Sequence, residues 1–222
     1  MKKISVLIVF LLLVDTTFSQ TELKGVMGIN FHSIPSMQDY INQSGIASSD
    51  NQVGSFVSAV IFAGEGGLFI NHSFELTVEA AYEIYSFTDV KFDTGKDELA
   101  FNNFMPSVLG YYVIKGEGYN FKFGGGAGVR FLSVNETLKG KVAATNYSST
   151  GFGTILRAEG NTLLGGNVFA NIGFEIRYDI NGEPQDNQGV YIKNSVLEEN
   201  VNFNAFSTGV RLGITYIFGE NI

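Results

Sequence analysis

The feature that most restricts what this chain can fold into is a two-residue alternation of polarity, clearest from Phe203 to Phe218. Side chains of a β-strand point alternately to opposite faces. Read so, one face carries Phe206, Thr208, Val210, Leu212, Ile214, Tyr216 and Phe218. The other carries Ser207, Gly209, Arg211, Gly213, Thr215 and Ile217. A water-soluble sheet would turn the apolar face inward. A membrane-spanning barrel turns it outward, toward lipid, and keeps the polar face for the lumen.

Further strands are read at Leu23 to His32, at Gly54 to Ile70, which is punctuated by glycines and fairly apolar on both faces, and at Phe74 to Val90, Phe101 to Ile114, Tyr119 to Val134, Phe152 to Leu164 and Val168 to Ile180. The third is the cleanest: Phe74, Leu76, Val78, Ala80, Tyr82 and Ile84 oppose Glu75, Thr77, Glu79, Ala81 and Glu83. Phe101 to Ile114 is the least regular and contains Pro106, and proline in a strand normally marks an edge or a bulge. Connections alternate in length. Long ones begin near Ser33, Thr88, Asn135 and Asn181; short ones sit near Asn71, Lys115 and Gly165. In the first long connection Ser36 is expected to cap a short helix through Met37, Tyr40 and Ile41, lying over the barrel mouth or at the membrane surface. The predicted fold is all-β: a closed antiparallel up-and-down transmembrane β-barrel of eight strands, with short periplasmic turns and four long extracellular loops. A soluble eight-stranded barrel has no need to place every long loop at one end.

The start of the chain points to export. Lys2 and Lys3 precede an apolar run from Ile4 to Val14, and small residues follow at Thr17 and Ser19. This is the pattern of a secretory signal peptide, residues 1–19, cut before Gln20. The run is shorter than the roughly 20 residues of a spanning helix. Residues 20–222 are then one barrel domain. The chain has no cysteine, which removes disulfides and the lipoprotein route of anchoring. Past residue 19 it holds 12 Lys and Arg against 21 Asp and Glu, a net charge of −9, and such a balance disfavours nucleic acid as a partner.

The polar faces collect Glu75, Glu79, Glu83, Lys122, Arg130, Arg157, Glu159, Glu175, Arg177, Asp179 and Arg211. Both signs are present, so these groups are expected to form a lumen ion-pair network that fills a small barrel. Gly124, Gly126 and Gly128 fall on one such face. They are read as clearing room for inward arginines and permitting strong coiling; the G-x-G-x-x-G spacing and the helix of a nucleotide loop are missing.

The export pattern, the rhythm of strands and loops, and the final Arg211-x-Gly213-x-x-Tyr216-x-Phe218 resemble the eight-stranded bacterial outer-membrane β-barrel family, of the OmpX and OmpA-membrane-domain type. They are also similar to the barrel-domain porin family of Bacteroidetes-like bacteria. The resemblance covers residues 20–222. It implies an outer-membrane location, contact with outer-membrane lipid, and recognition of Arg211, Gly213, Tyr216 and Phe218 by the barrel assembly machinery. It names an architecture and leaves activity open.

No catalytic grouping stands out. His32 and His72 fall at opposite ends of the predicted barrel, and each is followed directly by a serine, which alternation sends to the other face. Glu75, Glu79 and Glu83 are spaced by four, roughly 13 Å along a strand, too far to share one proton or ion. The reading is therefore a monomer that is not an enzyme and carries no cofactor or metal. Its role is structural or surface-interacting, with the loops available to an extracellular partner. A narrow porin or transporter is the first alternative and a lipid-modifying enzyme the second.

Overall fold

A sheet that faces hydrocarbon must pair every backbone amide and carbonyl within itself, and closing it into a ring achieves this. The computed structural model, which describes residues 20–44, 46–91, 95–138 and 144–219, closes in that way. The strands are β1 (Gln20–Ser33), β2 (Val57–Asn71), β3 (Phe74–Lys91), β4 (Gly95–Gly116), β5 (Tyr119–Thr137), β6 (Thr145–Gly165), β7 (Val168–Ile180) and β10 (Ala205–Gly219). The helix α1 (Pro35–Gln43) follows β1, and a two-stranded ribbon, β8 (Lys193–Asn194) with β9 (Glu199–Asn200), lies in the last loop. Each barrel strand pairs antiparallel with its chain neighbour, and β1 pairs with β10 from Gln20↔Gly219 to Ser33↔Phe206 to complete the ring. The predicted leader, residues 1–19, lies outside the described residues.

Pro106 breaks the ladder without shifting it. Phe104↔Phe131 and Ser107↔Gly128 share one register, and only the two pairings between them are missing. The bulge expected from a proline does not form at that point. Register shifts occur instead near the short turns, between Phe69 and Asn71 and between Leu163 and Gly165.

The apolar faces point outward. Leu212 is 57% exposed and its neighbour Arg211 1%. From Phe206 to Phe218 is twelve residue steps; at about 3.3 Å each and a tilt of about 40° they rise roughly 30 Å, the thickness of a bilayer core. Exposed aromatics gather at both ends of this band. At the short-turn end Phe74 meets Tyr112, Tyr119 meets Phe121, and Tyr216 meets Phe218. At the loop end a row of paired residues crosses four strands, Phe62↔Tyr82↔Phe104↔Phe131.

Above that row both faces change character. On β5 the outward positions pass from Phe131 to Ser133, Asn135 and Thr137, while the inward ones pass from Arg130 to the buried Leu132 and Val134. On β4 Phe104 gives way outward to Asn102, and Asn103 gives way inward to Phe101 and Leu99. Below this level the barrel is polar inside and apolar outside; above it the sheet has the ordinary polarity of a protein in water. Strands β3 to β6 run well beyond the boundary. Much of the expected loop at 88–100 is paired, with Asp89 opposite Asp97, and Asn135 pairs with Asn146 in the next connection.

The inward side of this extension forms a core of its own. Ile34, Met37, Tyr40 and Ile41, on or beside α1, pack with Phe101, Leu132, Val134, Ile192, Val201 and Phe203 in one buried cluster. The helix stripe thus covers the barrel mouth. Ser36 is not its cap. Ile34 holds that position and Pro35 opens the helix, where its fixed φ is favourable and its missing N–H costs nothing. Ser36 instead accepts the Asn202 amide at 3.1 Å and ties α1 to the last loop.

A closed barrel resists detergent. The folded protein is expected to migrate differently on electrophoresis unboiled than boiled; identical migration, with the protein soluble without detergent, would contradict the assignment of faces.

Candidate functional site

Two regions carry polar chemistry: the column of charges in the lumen and the crown of loops above it. The column is built in layers by inward positions. Nearest the short turns, Lys122 of β5 lies 2.5 Å from Glu22 and 2.7 Å from Glu75. Next, Lys24 of β1 lies 2.8 Å from Glu65 and 2.5 Å from Glu159. At the centre Arg157 and Arg211 share three carboxylates. Arg157 reaches Glu65, Glu79 and Glu175 at 2.9, 2.8 and 2.8 Å. Arg211 reaches Glu79 at 2.6 Å and the other two at 3.3 Å. Above them Arg177 pairs with Glu83 at 2.7 Å, and Arg130 with Asp179 at 2.5 Å.

Every lumen position expected from alternation is buried. The partners differ in part from a simple ladder, since Arg130 takes Asp179 while Glu83 also accepts from Asn30 at 2.7 Å and has the His32 ring 3.1 Å away. Glu22, Lys24, Glu65 and His32 belong to the column as well, although the sequence reading leaves them out of it. Lys24 falls on the polar face of its own alternating stretch. Glu65 is masked by Gly64, Gly66 and Gly67, which leave no alternation to read.

The glycines of β5 make room for something other than arginine. A Cβ at Gly124, Gly126 or Gly128 would collide with the β4 backbone and with Tyr111, Leu109 and Ser107. Met105, Leu109, Tyr111 and Val113 of β4 give the lumen an apolar side. The glycines that yield to charged groups include Gly28, beside Arg211, Gly67, beside Glu75, and Gly153, beside Arg130 and Asp179. Gly213 admits Val26 and the Gly25 carbonyl of β1, while Tyr216 and Phe218 face outward at the short-turn end.

In the crown the Tyr40 and Tyr147 hydroxyls both donate to the buried Glu136 carboxylate. Burial, then the Glu136 charge, push the Tyr40 phenol well above its usual range, so it remains a hydrogen-bond donor. Asp89 accepts the Ser48 amide at 2.8 Å and the Asn51 side chain at 3.1 Å, fastening the first loop to the β3–β4 hairpin. His32 is buried in the lumen and His72 is exposed in the β2–β3 turn, so the two are not brought together. Among the described residues no three of His, Cys, Asp and Glu are grouped to hold a metal.

No protein-family model and no curated protein sequence matches the chain. Its fold is shared with solved structures. Ail, the attachment invasion locus protein of Yersinia pestis, solved with the heparin analogue sucrose octasulfate, aligns over 91% of this chain and 100% of its own, with a TM-score of 0.54 and 9% identity. A major outer membrane protein from Thermus thermophilus aligns over 89% of this chain and 99% of its own, with a TM-score of 0.52 and 14% identity. The chain thus has the outer-membrane β-barrel fold.

Removing one partner of a buried ion pair strands the other. Arg157→Met, which leaves Glu65, Glu79 and Glu175 short of a cation, is expected to destabilise the folded barrel by about 3–5 kcal/mol in urea titrations in detergent. Lys96→Ala breaks the surface pair with Glu98 and should cost less than about 1 kcal/mol. Equal effects would contradict the central role of the column.

Proposed function

We propose that this protein resides in a bacterial outer membrane, is exported by its N-terminal signal, and works at the cell surface through its crown. The observation that carries this reading is the separate buried core beneath the loops, from Ile34 to Phe203. Here α1, the strand extensions and the last loop pack into one platform, and packing of this kind favours a preorganised recognition surface. The same core, together with the buried arginines, argues against a conducting lumen. Ser207 lies opposite His32 in the β1–β10 register, but neither its hydroxyl nor the ring has a hydrogen-bond partner among the described residues, so this pairing does not favour the lipid-modifying alternative. Tyr216 and Phe218, exposed beyond Gly213, are the surface offered to the assembly machinery.

The charge of the crown restricts its partner. The stretches 34–56, 86–102, 133–151 and 181–204 contain eleven Asp and Glu and five Lys, a net charge of −6. A sulfated polyanion, such as the analogue solved with Ail, is repelled by such a surface, and a basic or neutral partner fits it.

The experiment is single-channel recording in planar bilayers with the folded protein. The expected result is silence. Reproducible conductance steps would overturn the surface reading in favour of a small-solute porin.

A further inference from the structure

The last loop meets β6 at two points. Ile180, at the end of β7, pairs with Phe152. Further up, Ser148 and Gln185 exchange backbone hydrogen bonds of 2.8 and 2.9 Å. Between these points four loop residues run beside three of β6, and the surplus opens a cleft of about 370 Å³ on the crown. Its walls include Ser149 of β6 and Asn181, Glu183 and Asp186 of the loop; no Lys, Arg or aromatic residue lines it.

Each of these loop side chains is held by one end and leaves an oxygen over. Asn181 is 5% exposed. Its amide nitrogen donates to the Phe203 carbonyl at 2.9 Å, which settles which end of the amide is oxygen. That oxygen has no hydrogen-bond partner among the described residues, nor does the Ser149 hydroxyl. One Asp186 oxygen accepts the backbone amides of Gln188 and Val190, both at 2.8 Å. One Glu183 oxygen accepts the Asn200 side chain at 2.8 Å. The second oxygen of each carboxylate has no hydrogen-bond partner among the described residues.

We infer that this cleft is a calcium site. The leftover groups are an amide oxygen, a hydroxyl and two carboxylate oxygens, with two negative charges and no nitrogen or sulfur donor. Hard divalent cations take such sets. Calcium accepts six to eight oxygens in irregular geometry, whereas magnesium demands a near-ideal octahedron. Water and loop carbonyls complete the coordination. The anchoring bonds hold the ligands in place, as outer partners do in metal sites generally. The bound ion pins the loop, which supplies Ile192, Val201 and Phe203 to the crown core, against β6.

The test is calcium titration of the folded, detergent-solubilised protein after removal of divalent ions. The expected result is one calcium per chain, with the affinity near 10⁻⁴ to 10⁻³ M that is typical of extracellular modules, and weaker binding of magnesium. Glu183→Gln and Asp186→Asn should each weaken binding about tenfold or more. Asp186→Asn keeps an oxygen for the turn, and an electrophoretic shift on boiling verifies that each variant still forms its barrel. Asp50→Asn, an exposed change outside the cleft, should leave binding unchanged. Calcium should also slow tryptic cleavage after Lys193 in the parent protein and not in the double variant. Absence of calcium binding at several millimolar, or equal binding by the Glu183→Gln/Asp186→Asn double variant, would overturn the assignment.

Discussion

The structure depends on the mutual satisfaction of charges inside the barrel. Arg211 is 1% exposed, as are Glu79 and Glu175, and an ion in such surroundings is tolerated only with close partners. Replacing the whole column with apolar side chains need not cost stability. What the column supplies is register. A slip of one residue on any strand would turn its charges into lipid and its aromatics into the lumen. The arginines therefore set the alignment of strands far apart in sequence: Arg157 of β6 touches carboxylates from β2, β3 and β7.

The same constraint explains the two polarities. Within the bilayer, charge must be inside and hydrocarbon outside. Once the strands leave it, the outer face meets water, and Ser133, Asn135 and Thr137 replace the aromatics. The inner face is then free to close over a conventional core. Barrel and crown are thus one continuous sheet in two solvents, and the crown has a packed interior like that of a small soluble domain.

How much of this is legible in the sequence depends on where alternation holds its phase. The ends of β7 coincide with the stretch read from sequence, Val168 to Ile180, because apolar and polar positions alternate without a break from Ala170 to Ile180. Strands β3 to β6 extend past the stretches their sequence suggests. Above Phe131 the inward face turns apolar and the outward face polar, so a reader following apolar-outward positions sees the pattern end. Glu65 is lost among glycines, which carry no face. Ser36 misleads because the residue before it, Pro35, already starts the helix, and the serine is drawn to the distant Asn202 amide. Asn181 and Asp186 in the cleft are beyond reach for another reason. Their leftover oxygens follow from where the loop rejoins β6, and no local pattern records that.

The central claim is that the barrel passes from lipid to water just above Phe131. The chain contains no cysteine, so single cysteines at the outward positions Val129, Phe131, Ser133 and Asn135 of β5 can report it directly. In liposomes, a water-soluble maleimide is expected to spare positions 129 and 131 and to label 133 and 135. Labelling of 129 and 131 as strongly as 135 would contradict the account, because the apolar face would then be meeting water.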